Sequence, residues 1–387
     1  MAIKKEYDYL IVGSGLFGAV FAYEMTSIGK KCLVIDKRNH TGGNIHCRQV
    51  EGINVHAYGA HIFHTEDIEI WNYVNNLVPF NNYVNSPLAS YHGELYNLPF
   101  NMNTFYRLWG TSTPDQARAK ILEQTAQFAA IRPSNLEEQA IKLVGTEIYE
   151  KFIRHYTSKQ WGRPPCELPA SIIRRIPVRF TFNNNYFNDR YQGIPIGGYN
   201  VMTEKMLKGI EVRINTDFFR DRPYFESIAE KTVFSGRLDE YFGYCFGDLE
   251  YRSLRFETES LNMDDFQGNA VVNFTDQKTP YTRIYEHKHF EFGTQPTTVI
   301  TREYPMASAR TAEPYYPIND VKNMQILDRY KALKEREQNV IFGGRLAEYR
   351  YYDMHQVIAS ALHTAKKEFR LLSVNKSIHP VKQLANA

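Results

Sequence analysis

The segment that most limits what this chain can fold into is its start, where the apolar run Tyr9-Leu10-Ile11-Val12 leads directly into Gly13-Ser14-Gly15-Leu16-Phe17-Gly18. A strand that ends in this pattern and opens a helix is a dinucleotide cradle. Gly13 allows the tight turn, Gly15 lets backbone approach a pyrophosphate, and Gly18 lets the helix pack close to the sheet. The helix that follows presents its N-terminal NH groups and positive dipole end to phosphates. A second strand, Lys31-Cys32-Leu33-Val34-Ile35, ends in Asp36, about twenty residues past the glycines, where a carboxylate can accept hydrogen bonds from ribose hydroxyls. The order of strand, glycines, helix, strand and acid predicts a bound dinucleotide, with Gly13, Ser14, Gly15, Phe17, Gly18, Asp36 and Lys37 around it.

The chain has 387 residues, 43% of them hydrophobic, enough for two or three domains with substantial cores. Forty-six basic against 43 acidic residues leave a net charge of +3, too balanced to make nucleic acid or an anionic membrane the main partner. An anionic ligand must therefore be met by a local cluster. No apolar leader precedes the first strand and no apolar stretch reaches bilayer length, so a cytoplasmic protein without membrane insertion is expected. Cys32, Cys47, Cys166 and Cys245 are widely spaced and form no CxxC, which suits a reducing compartment and argues against a structural metal.

Residues 52–65 read as a short strand running into a loop with His56, His61 and His64. His61 and His64 could be metal ligands, but no acidic or thiol partner has matching spacing, so an ordering or cofactor-side role is favoured and no metal is assigned. Ile68, Ile70, Trp71, Val74 and Leu77 predict an amphipathic helix within 66–78. Alternation over 83–98 predicts a hairpin turning at His92-Gly93. Thr113-Pro114-Asp115-Gln116 supplies a cap, an N1 proline and an N3 glutamine for a helix ending near Ile131. Ser134 with Glu137 repeats the box ahead of one apolar-faced helix from Leu136 through Phe152 to Tyr156. Residues 162–180 hold Pro164, Pro165, Pro169 and Pro177 with Arg163, Arg174, Arg175 and Arg179, an ordered but hinged surface connection. Gly197-Gly198 opens another helix, 211–215 and 232–234 read as cofactor-domain strands, and 250–305 as an antiparallel sheet. Val340-Ile341-Phe342 ends in the turn Gly343-Gly344-Arg345, which can present backbone amides and a guanidinium to the cofactor, and an amphipathic helix follows over 354–369.

The segment after Asp36, Lys37-Arg38-Asn39-His40-Thr41-Gly42-Gly43-Asn44, resembles the Gly-Gly segment of FAD proteins related to amine oxidases and Rab GDP-dissociation inhibitors, and with the first motif it points to FAD. The expected fold is α/β, a Rossmann-like FAD-binding domain with an inserted helical subdomain and an antiparallel β-sheet subdomain. Residues 1–82, 195–245 and 318–387 are assigned to the FAD-binding domain and 100–165 to the helical one. Residues 83–99, 166–194 and 246–317 are assigned to the sheet domain, with a mobile arginine loop in the second of these.

Over nearly its full length the chain resembles the bacterial UDP-galactopyranose mutases. The resemblance is carried by Gly59-Ala60-His61-Ile62-Phe63-His64-Thr65, Tyr156-Thr157-Ser158-Lys159-Gln160-Trp161-Gly162, Arg175-Ile176-Pro177-Val178-Arg179-Phe180 and Asn185-Tyr186-Phe187. Tyr281-Thr282-Arg283-Ile284, Glu313-Pro314-Tyr315-Tyr316-Pro317, Gly344-Arg345-Leu346 and Tyr349-Arg350-Tyr351-Tyr352-Asp353-Met354 continue it in order. It implies a non-redox isomerase that interconverts UDP-galactopyranose and UDP-galactofuranose for galactofuranose-containing surface glycans. In the family mechanism reduced FAD attacks the anomeric carbon through N5, UDP departs, and ring opening and closure pass through a flavin-sugar iminium. NAD(P)H would serve only to reduce the flavin, and a homodimer is implied.

The residue types fit that chemistry. A uracil needs a flat aromatic partner, a stacking contact worth about 1–3 kcal/mol, and Phe152, Tyr156 and Trp161 could form the slot or simply pack in a core. A diphosphate needs fixed positive charge, for which Arg175 and Arg283 match the family, although either could be a solvated surface charge. Tyr186, Tyr316 and Tyr351 are candidate hydroxyl donors. The resemblance adds Asn85 and Thr157 to the substrate site, His64 to Arg175 and Arg283 in the catalytic set, and Gly43, Asn44, His61, Ile62, Gly344, Arg345, Tyr351, Asp353 and Met354 to the cofactor site. A flavin oxidoreductase of the amine oxidase type and a flavin-less scaffold like the GDP-dissociation inhibitors stay open as other classes.

Overall fold

Consecutive residues of the strand Tyr7–Val12 are buried on both sides, so it must lie in the middle of a sheet covered on two faces,. The computed structural model describes residues 5–173, 177–307 and 309–378. Five parallel strands run in the order Val340–Phe342, Ala229–Phe234, Tyr7–Val12, Cys32–Ile35 and Glu211–Arg213. Tyr9, Ile11 and Val34 face one layer, where helices Leu16–Ser27 and Met354–Ile378 pack, while Leu10, Leu33 and Ile35 face Phe225, Leu327 and Tyr330 on the other. Alternation within each strand thus serves two cores. Val12 is in register with both Phe234 and Ile35, and Phe234 with Phe342, so four strands end level along one edge, where open α/β sheets bind their ligands.

The second sheet has seven strands in the order Tyr316–Pro317, Tyr251–Leu261, Thr298–Met306, Arg283–Glu286, Val271–Phe274, Leu88–Tyr91 and Glu94–Asn97. Its hairpin turns at His92 and Gly93, both at positive φ (51° and 86°), the geometry that suits two-residue turns. The strands of 250–305 pair antiparallel as expected, and the one pair that joins them to the hairpin, Val271–Phe274 with Leu88–Tyr91, runs parallel. These two strands come from distant parts of the chain, and no tight turn dictates their direction.

The helical layer packs Phe105, Leu136, Ala140, Val144, Ile148 and Tyr149 against Ala89 and Tyr96 of that sheet. The capping box at Thr113 and Gln116 forms as expected. The next one is shifted by a residue: Asn135 caps the helix Leu136–Val144, and Glu138 reaches back to the Ser134 N–H and hydroxyl at 2.7 and 2.9 Å. Asn is at least as good an N-cap as Ser, and this start buries Leu136,. The single long helix expected from Leu136 to Tyr156 is broken. Gly145 sits at φ 85°, where an added Cβ would lie 2.8 Å from Gln124 Oε1, and a π-helical turn, Tyr149–Arg154, precedes the helix His155–Trp161,.

Residues 166–194, expected to return to the sheet domain, include no described residue that forms a strand of the seven-stranded sheet. Their strand Tyr191–Gly193 pairs antiparallel with Phe63–Thr65 beside the cofactor cradle, because Tyr191 stacks there on Trp71, 5.4 Å between centroids. Arg174, Arg175 and Ile176 lie outside the described residues, and with them the centre of the expected mobile arginine loop. Among the described residues no helix is long and apolar enough to cross a membrane.

Candidate active site

The level strand ends, the inner face of the seven-stranded sheet and the helical layer enclose an open cavity of about 1150 Å³. Its floor is the predicted cradle. Asp36 is buried at the end of its strand, and its Oδ2 accepts the Ser14 N–H and hydroxyl at 2.8 and 2.6 Å, while Oδ1 accepts the Arg38 N–H at 2.9 Å. Oδ1, which accepts a single hydrogen bond, keeps a lone pair for a ribose hydroxyl,. A Cβ on Gly43 would come within 2.8 Å of Gly15 Cα, so the two glycine segments touch and leave backbone facing the cavity. Ser14 and Gly18 do not line it: Ser14 acts through Asp36, and Gly18 packs against the Gly13 carbonyl.

Above the cradle, Gly13, Gly15, Phe17, Lys37, Gly43, Asn44, His61, Ile62, Gly344, Arg345, Asp353 and Met354 all line the cavity. Arg345 donates from Nη2 to the Tyr315 carbonyl at 2.7 Å and lies over the Tyr351 ring. Its buried Nε has no partner among the described residues. An unpaired buried donor beside a backbone-lined cradle fits an acceptor-rich dinucleotide. His61 holds its Nδ1 2.8 Å from the Gly59 carbonyl, and burial pushes its pKa down to about 4, so the ring is neutral. The sequence did not single out Arg38, Tyr58 or Glu313, although Arg38 forms an ion pair with Glu313 at 2.7 Å, lies over Tyr58 and donates to Asn44. Nothing in local spacing links positions so far apart.

The other half of the cavity gathers Asn85, Phe152, Tyr156, Thr157, Trp161, Tyr186, Arg283, Tyr316 and Tyr351. Arg283 Nε donates to Tyr156 Oη at 2.7 Å and Nη1 to Tyr285 Oη at 3.3 Å. Burial disfavours its charge, but the Glu303 carboxylate and the surrounding phenols hold its pKa well above the usual arginine value. Burial pushes Tyr156 up to about 12, so its hydroxyl stays protonated. Glu303, missed by sequence reasoning, is buried and accepts hydrogen bonds from Thr282 and Tyr285. Asn85 Oδ1 is buried without a partner among the described residues. Phe152 is mainly a core residue, packed on Tyr96 and Phe100, with one edge at the cavity. The helix bearing Tyr156 and Trp161 is tied to the strand pair bearing Arg283 by Lys159, whose Nζ donates to the carbonyls of Phe274, Thr279 and Tyr281 at 2.8, 3.0 and 3.1 Å.

His64 lies at the junction of the two halves. Its Nδ1 is 2.5 Å from Asp189 Oδ2, its ring stacks on Phe187 at 3.8 Å, and His355 stands edge-on at 5.3 Å. His61 and His64 therefore do not converge on one point; His64 clusters instead with Asp189 and His355.

A parallel dinucleotide-binding sheet whose cradle shares one cavity with a permanently charged arginine and a ring of tyrosines defines an enzyme that brings a dinucleotide cofactor against an anionic substrate. Residues 11–77 match the NAD(P)-binding Rossmann-like domain family and residues 151–351 the UDP-galactopyranose mutase family. The chain is 40% identical to the probable UDP-galactopyranose mutase of Klebsiella pneumoniae, over 97% of each chain. It is 37% identical to the dTDP-fucopyranose mutase of Escherichia coli, over 92% of this chain and 97% of the other. A crystal structure of reduced UDP-galactopyranose mutase shares the fold, with TM-score 0.72 and 14% identity, covering 94% of this chain and 96% of that one. The chain belongs to the UDP-galactopyranose mutase family, a family of isomerases.

Proposed function

We propose that the protein interconverts UDP-galactopyranose and UDP-galactofuranose with FAD in the cradle, active in its reduced form. The observation that carries this reading is Arg283, charged and fixed by Tyr156 and Glu303 in the same cavity as the dinucleotide cradle. Bound and reduced, FAD supplies a nucleophilic nitrogen for the anomeric carbon. Gly13, Gly15, Asp36, Gly43 and Arg345 would hold it.

The chain's own residues then serve the nucleotide sugar. Tyr156 and Trp161 offer aromatic faces to the base, with Phe152 at their back and Thr157 beside them. Arg283, with Arg175 from the segment outside the described residues, neutralises the diphosphate as it leaves, and the hydroxyls of Tyr186, Tyr316 and Tyr351 add donors. Asn85 brings an unpaired carbonyl oxygen toward sugar hydroxyls. NAD(P)H as reductant, a homodimer and a cytoplasmic location belong to the same reading.

The 37% identity to a dTDP-fucopyranose mutase favours a second reading, the same ring contraction on a deoxythymidine-linked sugar. Product analysis with UDP-galactofuranose and dTDP-fucofuranose, each with dithionite-reduced and with strictly oxidised protein, tests both. Conversion of the uridine sugar by reduced protein alone is expected. Equal turnover by oxidised protein, or conversion of the thymidine sugar only, overturns the reading.

A further inference from the structure

The base and the diphosphate of a nucleotide sugar meet different elements of this fold, so the site works only if those elements keep a fixed separation. Tyr156, Thr157, Gln160 and Trp161 line the cavity from the helix His155–Trp161, and Arg283 lines it from the first position of the strand Arg283–Glu286. The helix is seven residues long, follows a π-helical turn and ends at Gly162 with φ 67°. A helix this short has little stability of its own, and tertiary contacts must fix its place.

Lys159 makes those contacts. The spacing 156, 157, 160 and 161 turns one face of the helix to the cavity, and residue 159 falls on another face, against the connection between Val271–Phe274 and Arg283–Glu286,. A lysine ammonium has three hydrogens to donate. Here they meet three carbonyls, those of Phe274, Thr279 and Tyr281, at 2.8, 3.0 and 3.1 Å. Phe274 ends one strand, and Tyr281 stands just before Arg283 opens the next. Burial pushes the Lys159 pKa down to about 8, with Asp276 opposing the shift, so all three hydrogens are present at neutral pH. Asp276 also closes the connection on itself: Oδ1 accepts the Lys278 and Thr279 N–H groups, each at 2.9 Å, and Oδ2 accepts the Thr279 hydroxyl at 2.9 Å. A second tie between helix and strand, from Arg283 Nε to Tyr156 Oη, joins two side-chain ends inside the cavity, where a diphosphate competes for the guanidinium. Lys159 and its three carbonyls do not line the cavity, so a ligand leaves that tie intact.

We infer that Lys159 is the positioning residue for nucleoside-diphosphate recognition: it holds the aromatic helix against the Arg283 strand, and so sets the separation between the face that takes the base and the cation that takes the diphosphate. This rests on the nucleotide-sugar reading above. The test measures affinity for UDP, or for dTDP where the parent binds it more tightly, by calorimetry on flavin-loaded protein. Lys159→Met is made in the parent and in a Trp161→Ala background; methionine keeps an apolar stem of similar length and removes the three donors. Affinity should fall about tenfold or more in the parent background and less than about threefold where Trp161 is already absent, since a separation matters only when both ends bind. Flavin occupancy should be unchanged in all four proteins. Asp276→Ala loosens the same connection while keeping the lysine, and it should lower affinity about fivefold with the same dependence on Trp161. It decides the matter if Lys159→Met does not fold. Equal losses in the two backgrounds mark a general structural role and overturn the inference, as does an affinity within about twofold of the parent in both Lys159→Met and Asp276→Ala. A parent that binds neither nucleotide sinks the nucleotide-sugar reading by a separate measurement, and this proposal with it.

Discussion

Arg283 and Glu303 stand directly opposite each other on neighbouring antiparallel strands, with Nη1 and the carboxylate 3.7 Å apart. The carboxylate is nearly enclosed, and it faces an arginine that opens on the cavity. One side of the guanidinium is thereby anchored, leaving its charge for a ligand. Replacing Arg283 by alanine should cost about 2–4 kcal/mol in transition-state stabilisation, as loss of other preorganised donors does. Flavin should stay bound. Turnover of reduced enzyme alongside flavin absorbance checks this; near-normal activity, or loss of flavin, refutes the role given to Arg283.

Arg345 should separate from Arg283 in the same pair of measurements. Its Nε has no partner among the described residues, and Gly344 turns it into the cofactor half at φ 87°. Arg345→Ala is expected to lower flavin occupancy or shift the flavin spectrum before any effect on UDP affinity. Full occupancy with an unchanged spectrum would count against it.

Gly43→Ala places a methyl group 2.8 Å from Gly15 Cα on a residue at φ 57°. Neither backbone can yield without opening the cradle. The variant should fold, with helix content unchanged by circular dichroism, yet purify without flavin; a normally yellow Gly43→Ala protein would show that the cofactor does not lie over this contact.

Acid stability should carry the mark of His287. The ring is buried, with Nε2 2.8 Å from Thr301 Oγ1, and burial pushes its pKa down to about 3. The unfolded chain binds a proton near pH 6.5 that the folded one refuses, so stability falls as pH drops through 6.5. By pH 5 this group alone costs about 2 kcal/mol relative to neutral pH. Denaturant unfolding at pH 7.5 and 5 should show that slope in the parent and a smaller one in His287→Gln. Identical slopes would mean the ring is already protonated in the fold.

What the sequence determined by itself was whatever depends on neighbours along the chain. The cradle was legible because strand, glycines, helix and Asp36 lie within one supersecondary unit, and the Thr113 box and the His92-Gly93 turn are equally local. Family resemblance extended this to Arg283, Tyr156 and the tyrosines without saying what holds them. Only the tertiary structure decided the partners: Glu303 behind Arg283, Asp189 and Phe187 around His64, Glu313 on Arg38, and Lys159 pinning the helix to the sheet. It also decided the break at Gly145, the parallel pairing of Leu88–Tyr91, and the placing of Tyr191–Gly193 beside the cradle. Each of these joins residues with no periodic relation in the chain. Their energies come from burial and from the close approach of charges and rings, quantities that exist only once distant segments have packed together.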